Sequence, residues 1–191
     1  MKRRLLLPLL LLLAPLAFSQ DSAPKAAAPP PATLRSVLLS QLRSIHNKAE
    51  WFVPVNTAVA GLTSEQAKWI PTNAAGKLDP NANHSVGMLA YHLWFWNANV
   101  LADLKGEKPK QPSTNDETFN DFDAAAWSRT VHDLDAVLTS LEQLIESADD
   151  ATLSKIAPAI AHISAHNAYH TGQILYVRKL QGSWNPENGV K

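Results

Sequence analysis

The stretch HNAYHTGQILYVRK, residues 166–179, lies within a run of helical periodicity that extends from Ile156 to Leu180. Apolar side chains recur in this run at steps of three and four residues, which is the pattern of an amphipathic helix with one buried face. His166 and His170 are four residues apart, so a helix places both imidazoles on the same side. Two imidazoles at this spacing can bind one metal ion, at Zn–N distances of about 2.0–2.1 Å. The segment therefore predicts a long core helix that carries part of a metal site.

A second helix with a histidine beside its buried face is predicted between Ser85, a favourable N-cap residue, and Gly106. Its apolar stripe consists of Val86, Leu89, Leu93, Trp96, Val100 and Leu104. His92 falls on the flank of this stripe, about 60° from Leu89 around the helix axis. Two facing helices would then each present histidine at their common boundary. Histidines of both helices, His92 on one and His166 and His170 on the other, are thus candidates for a common site.

Two further long helices complete the predicted core. The first begins after Thr33 as N-cap and carries an apolar face as far as Phe52, with Pro54 kinking or ending it. The other, residues 124–147, is separated from the last helix by only a few residues, so we expect those two helices to be antiparallel neighbours. The loop 105–122 is long enough to return along a helix, which allows the helices on either side of it to run parallel. In the absence of any strand pattern, the sequence predicts an all-α four-helix bundle.

The N-terminal segment has the pattern of a secretory signal peptide. A basic start at residues 2–4 precedes an apolar run at 5–16 and an A-x-A-like cleavage site at 17–19. The apolar run is shorter than the ~20 residues that a bilayer span needs, which weighs against a membrane anchor. The predicted organisation is a signal peptide at 1–19, an Ala/Pro-rich linker at 20–32, the bundle at 33–185 and a tail at 186–191. The mature protein is then expected in the bacterial periplasm or as a secreted protein.

Charge and cysteine content exclude several classes of protein. The chain has 17 Lys and Arg and 17 Asp and Glu, and loss of the three basic residues of the signal peptide leaves a net charge of about −3. A mildly acidic protein is unsuited to nucleic acid, which binds basic surfaces. Because there is no cysteine, disulfides, thiolate ligands and a lipidated cysteine are all excluded. We expect a small-molecule ligand or substrate and no stable membrane span after cleavage, and the sequence leaves a homodimer open.

The ligand types indicate which metal the site takes. Three neutral imidazoles favour zinc, nickel or ferrous iron over calcium or magnesium. Structural zinc sites usually have four protein ligands, whereas catalytic ones keep one position for water or substrate, so three histidines favour an open site. His46, near one margin of the first helix, would close the metal's coordination if it were a fourth ligand. Asn97, Asn167 and Gln173 are all near enough in helical spacing to accept hydrogen bonds from the other ring nitrogens of the ligating histidines, and the sequence does not choose among them.

The motif GMLAYHLWFWN around His92, combined with HNAYHTGQI and a following Arg178, resembles the DinB-like superfamily. The resemblance covers about residues 33–185. It implies a four-helix bundle of up-down-down-up order with long crossover loops, and a divalent metal, often zinc or nickel, bound by His92, His166 and His170. Similar proteins include bacillithiol-dependent S-transferases and mycothiol-dependent maleylpyruvate isomerase. Gln173 and Arg178 match motif positions, and we expect Arg178 either to complement the C-terminal end of its helix dipole or to form a salt bridge.

Two functions stay open at this point: a metal-dependent hydrolase or transferase acting on a small molecule, and a non-catalytic metal-binding or carrier protein of the cell envelope. A general base beside the metal would favour the enzyme, and no carboxylate lies beside the three histidines in the sequence. Glu50 or Glu65 could supply one from another helix, and the catalytic residues beyond the metal site are unknown. Of the other histidines, we expect His162 at the rim of the site and His84 and His132 in solvent.

Overall fold

A computed structural model describes residues 31–79 and 83–189 of the chain. The predicted signal peptide and nearly all of the predicted linker lie outside these residues. The helices are α1 (Leu34–His46), α2 (Val55–Val59), α3 (Ser64–Ala67), α4 (Val86–Leu104), α5 (Glu117–Asn120), α6 (Trp127–Ser147) and α7 (Asp150–Gln181). Short 3-10 helices cover Ala124–Ala126 and Pro186–Asn188.

The described residues form no β-strand beyond a single isolated bridge between Thr72 and Leu78. The prediction of an all-α helical bundle is confirmed. None of the described helices is both long enough and apolar enough to cross a bilayer.

Polar N-caps start α1, α4 and α7. The Ser85 hydroxyl accepts a hydrogen bond of 3.1 Å from the Met88 N–H, as the sequence predicts for the start of α4. Helix α7 begins at Asp150, earlier than the predicted Ile156, because Asp149 caps it by accepting a 2.7 Å hydrogen bond from the Thr152 N–H. The helix ends where Gly182 adopts a left-handed conformation, with φ of +74°.

The four long helices α1, α4, α6 and α7 share one apolar core. Each of α1 and α4 packs against both α6 and α7, which leaves α6 and α7 diagonally opposite in the bundle. The expectation that these two are packed neighbours is therefore wrong, because α7 buries its apolar face against α1 and α4. The largest fully buried core side chains are Leu42, Leu89, Leu93, Leu134, Leu138, Leu141, Ile145, Leu153, Ile160 and Ile174.

Helix α1 runs antiparallel to α6. Near its start, the Arg35 guanidinium donates hydrogen bonds of 2.6–2.8 Å to carbonyl groups of residues 145–148 at the end of α6. At its other end, His46 lies 2.8 Å from the Asp135 carboxylate in the first half of α6. An up-down-down-up order of the four long helices requires α1 and α6 to be antiparallel.

Helix α1 ends at His46, earlier than its apolar pattern predicts. The Phe52 side chain, expected on the buried face, is 41% exposed, and Trp51 is 98% exposed. Continuing the helix through these residues would bury little apolar surface, so little free energy favours it. The chain turns instead, and Val53 enters the core immediately before α2.

Hydrogen bonds and a ring contact hold the long connection between α4 and α6 against α4. The Asn99 side chain accepts a 3.0 Å hydrogen bond from the Lys110 N–H and donates a 2.9 Å bond to the carbonyl of the same residue. The Phe122 ring lies directly on Gly87, where the ring leaves no room for a Cβ atom. These contacts hold α5 against the middle of α4.

Candidate metal centre

The structure brings together the three predicted histidines, His92 from α4 and His166 and His170 from α7. The Nε2 atoms of His92 and His166 are 3.1 Å apart. The His170 ring centroid is 4.7 Å from that of His92 and 4.6 Å from that of His166. One nitrogen from each ring lies within 4.8 Å of the others, so the three could hold a metal ion.

A reciprocal amide pair fixes the register of α4 against α7 next to these histidines. The Asn97 Nδ2 donates a 2.7 Å bond to Asn167 Oδ1, and the Asn167 Nδ2 donates a 3.0 Å bond to Asn97 Oδ1. Both side chains are buried. Because His92 meets His170 while Asn97 meets Asn167, α4 runs antiparallel to α7. Asn167, predicted as an acceptor for an imidazole, instead positions the two helices.

Two of the imidazoles form hydrogen bonds through Nδ1 to neighbouring oxygen atoms. His92 Nδ1 lies 2.6 Å from Thr118 Oγ1, and this hydroxyl donates a 2.6 Å bond to the Asn115 carbonyl, so it must accept from the imidazole. His170 Nδ1 donates to Gln173 Oε1 at 2.6 Å. Both rings therefore keep the lone pair on Nε2 for a ligand, which is how metal-binding histidines are usually held.

His166 shows that the donor set suits a metal ion. Its Nδ1 atom is buried and has no hydrogen-bond partner among the described residues. Its Nε2 atom faces that of His92 at 3.1 Å, close to the ~3.3 Å that separates two ligands of a tetrahedral zinc ion with bonds of ~2.05 Å. Two neutral nitrogens turned towards each other gain most when a cation lies between them.

Burial keeps these imidazoles neutral. Loss of solvent, with smaller contributions from His170, His166 and His84, lowers the pKa of His92 to about 3. Burial and the neighbouring His170 and His162 lower the pKa of His166 to about 4. Burial likewise lowers the pKa of His170, although its hydrogen bond to Gln173 opposes this. At neutral pH all three rings are therefore uncharged, each with one ring nitrogen free of a proton, and none needs to lose a proton when a metal binds.

A cavity of about 480 Å³ adjoins the three rings, within the size range of small-molecule sites. One wall is the Phe119 ring, which stacks on His92 at a centroid distance of 3.8 Å and an angle of 7°. The described residues that line the cavity include no Asp, Glu, Lys or Arg; besides the three histidines they are Trp96, Val100, Asn115, Phe119, His162 and Ile163. His162 lies at the rim and is exposed, as expected.

His46 is engaged away from the three histidines. Its Nδ1 lies 2.6 Å from Glu142 Oε1 and its Nε2 lies 2.8 Å from Asp135 Oδ1. The ring is 1% exposed and sits between α1 and α6. With both nitrogens occupied by carboxylates, His46 is not placed to be a fourth metal ligand.

Arg178 lies near the end of α7, where its hydrogen bonds to backbone carbonyls stabilise the fold. Its guanidinium donates to the carbonyls of Ala58 at 2.6 Å, Ala60 at 3.1 Å and Ser183 at 2.8 Å, and it lies over the Trp184 ring. These carbonyls lie in the last turn of α2 or just beyond the ends of α2 and α7, so the positive charge complements two helix C-termini. Of the two expected roles, the structure shows this one, and no salt bridge of Arg178 appears among the described residues.

The remaining candidate side chains divide between the site and the surface. His84, expected in solvent, is half-buried, with its ring centroid 4.0 Å from that of Phe119. His132 is exposed, as expected. Glu50 pairs with Lys48 at 2.7 Å and Glu65 pairs with Lys68 at 2.8 Å, so neither brings a carboxylate to the histidines.

Sequence reasoning missed Thr118 and Phe119, which contact His92 directly. Both belong to α5, a single helical turn inside a connection rich in charged and polar residues. A four-residue helix shows no periodicity that would reveal its buried side. The signal that was available is the pair Phe119 and Phe122, three residues apart in an otherwise polar stretch, which indicates a turn packed on the core.

The fold and the site define a four-helix bundle with a three-histidine centre at the interface of α4 and α7. A family model described as the DinB superfamily matches residues 55–174, well over half of the chain and all three histidines. The chain belongs to the DinB superfamily. No curated protein and no solved structure matches it.

Proposed function

We propose that this protein is a metal-dependent hydrolase or transferase that acts on a small molecule at the centre formed by His92, His166 and His170. The observation that supports this proposal is the convergence of three neutral imidazoles beside an open cavity of about 480 Å³. Three protein ligands leave coordination positions for a substrate. Zinc or nickel suits the nitrogen donors best.

In this proposal, a divalent ion held by the histidines supplies Lewis acidity towards a water molecule or a substrate atom. Thr118 and Gln173 fix the ring orientations through the Nδ1 atoms of His92 and His170. Phe119 covers one face of His92 and keeps water from it. His162 is the only titratable side chain lining the described cavity apart from the three histidines, and it is the group we assign to proton transfer.

The second candidate function is a non-catalytic metal carrier. The observation that favours it is the lack of a carboxylate among the described residues that line the cavity. Asp and Glu are common general bases in enzymes, and a carrier does not need one. A carrier needs only to bind and release its ion. The two functions differ in whether a small ligand exchanges at the metal.

Cobalt(II) tests both the site and its open position, since it takes nitrogen ligands and absorbs visible light. We expect about one equivalent of cobalt per chain and a saturable spectral change when azide is added. His92→Ala, His166→Ala and His170→Ala should each abolish stoichiometric binding, because two imidazoles hold the ion too weakly.

Two matched controls accompany this experiment. His46→Ala and His132→Ala should keep both the cobalt and the azide response, since neither side chain reaches the centre. Full binding in the three site variants would refute the metal centre. A spectrum that no added ligand changes would leave the metal centre intact and support the carrier function.

We further propose that the mature protein is exported to the periplasm or secreted. The support is the sequence of residues 1–19, with its basic start, apolar run and small residues before the cleavage point. N-terminal sequencing of protein recovered from the cell envelope or the medium should begin near Gln20 or Asp21. Soluble cytoplasmic protein that retains Met1 would contradict export.

A further inference from the structure

The cavity beside the histidines continues along the groove between α4 and α7. On α4, Trp96 and Val100 follow His92 at intervals of one turn, so the lining extends about 12 Å along the helix axis. On α7, Ile163 and His162 form the facing wall. The metal-binding nitrogens thus lie at one end of an elongated groove.

The walls of this groove are apolar and carry no fixed charge. Ile163 is 4% exposed and Phe119 is 6% exposed, while Trp96 and Val100 are half-buried. No Asp, Glu, Lys or Arg belongs to the described lining, and the polar side chains beyond the three rings are Asn115 and His162. A charged group in the body of a ligand would lose hydration there without gaining an ionic partner, which disfavours it strongly.

A charge on the ligand is compensated only at the histidines, where a bound divalent ion attracts an anion. Apolar groups further along the groove gain free energy by leaving water for the surfaces of Trp96, Val100 and Ile163. The end of the groove at the histidines therefore favours an anionic group, and the rest of the groove favours apolar groups.

We infer, on the basis of the proposed function, that the site accepts small molecules with one anionic metal-binding head and an uncharged apolar body. The head lies at the three histidines. The body lies along Trp96, Val100 and Ile163, and these three residues determine how long an apolar body the site accepts.

A series of carboxylates binding to the cobalt-loaded protein tests this assignment, with the visible spectrum as the readout. Acetate, butanoate and hexanoate share a head group and differ only in the apolar body. Affinity should rise about two- to fourfold per added methylene group, so hexanoate should bind more than about tenfold more tightly than acetate. Hexanedioate, with a second carboxylate at its far end, should lose most of this gain.

Variants locate the gain in the groove. Trp96→Ala and Ile163→Ala should lose most of the preference for hexanoate over acetate. Trp94→Ala is the matched control, because Trp94 lies under the Lys110 ammonium and lines a different cavity, so both affinities should stay unchanged. Acetate binding also reports that each variant is folded and holds its metal. Trp96 is half-exposed, so its variant keeps the test valid if Ile163→Ala does not fold.

The outcomes separate the two proposals. If acetate does not change the spectrum, the open position fails and this inference fails with it. If acetate binds and hexanoate is no tighter, the open position stands and the apolar body is refuted. Equal affinities for hexanoate and hexanedioate would likewise overturn the assignment.

Discussion

At the scale of single residues, the three imidazoles differ in what holds them. His92 and His170 are each fixed by an oxygen on Nδ1, whereas His166 Nδ1 has no partner in the described structure. His166 is oriented by packing and by its position one turn before His170 on the same helix. The two hydrogen bonds therefore carry most of the polar support of the site.

Thr118 offers a direct test of that support. Thr118→Val keeps the shape of the side chain but removes both the acceptor for His92 Nδ1 and the donor to the Asn115 carbonyl. We expect the affinity for cobalt or zinc to fall about 10- to 100-fold, measured by competition with a chelator. Thr118→Ser should restore most of the affinity, because it returns the hydroxyl.

Thr130→Val is the control for general effects of losing a buried threonine hydroxyl. Within the described residues, that hydroxyl bonds to the Ala126 carbonyl just before α6, at 3.3 Å, and lies away from the histidines. Its metal affinity should match the wild type. Equal affinities for all four proteins would show that Thr118 does not support the site.

Sequence reasoning works at this scale where a residue lies on a long helix. The spacing of His166 and His170 and the flank position of His92 place these residues correctly, because 3.6 residues per turn fixes their directions. Thr118 lies on a single helical turn and His84 lies in a loop, and neither segment shows a periodic pattern. Their positions depend on how the connections pack, which is a tertiary effect that no local pattern encodes.

At the scale of elements, the connection between α4 and α6 couples packing to the metal centre. The Phe122 ring lies on Gly87 at the start of α4. Helix α5, which ends two residues before Phe122, carries the two residues that contact His92. Displacing Phe122 should therefore move α5 and weaken the site without touching a ligand.

Gly87→Ala tests this coupling. The added Cβ has no room against the Phe122 ring, so we expect a loss of about 1–3 kcal/mol in the free energy of unfolding, measured by denaturant titration. Metal affinity should fall as well. Gly172→Ala, on an open part of α7, is the matched control and should raise stability by about 0.5–1 kcal/mol, since alanine favours the helix more than glycine. A neutral Gly87→Ala would show that Phe122 is free to shift.

The elements themselves were partly predictable. The caps at Thr33 and Ser85 are correct, because each is a local hydrogen bond that the sequence specifies. The end of α1 was not predictable from its apolar spacing, since residues 47–52 continue the pattern yet find no helix to pack against. The diagonal arrangement of α6 and α7 also escaped prediction, because a short loop fixes proximity of two ends and not of two faces.

At the scale of the whole molecule, an ionic network ties α1 to α6 on the side away from the metal centre. His46 lies between the carboxylates of Glu142 and Asp135, and Arg43 donates to Glu142 at 3.1 Å. The two carboxylates of α6 thus converge on one buried imidazole. The interface thus depends on the charge states of these acids.

The network makes the stability of the bundle depend on pH in the acidic range. The hydrogen bond from His46, helped by one from Asn56, lowers the pKa of the Asp135 carboxyl below its usual value near 3.8. Because the folded pKa is the lower one, the stabilisation is fully present above the unfolded pKa of about 4 and is lost as the pH falls through the folded pKa. Its size should stay below about 1 kcal/mol, because the Asp135 side chain is 50% exposed and water screens the pair.

Asp135→Asn therefore should differ most from the wild type at pH 6 and approach it as the pH drops below about 4. The comparison is made by urea titration of metal-free protein at several pH values, so that metal binding does not contribute. Asp133→Asn is the control on the same helix. In the described part of the chain Asp133 pairs with the exposed His132, and the difference of this variant from the wild type should stay small at every pH. A difference for Asp135→Asn that is the same at pH 6 and pH 3 would mean that the effect does not depend on the carboxylate charge, and the charge network would not contribute to the stability of the bundle.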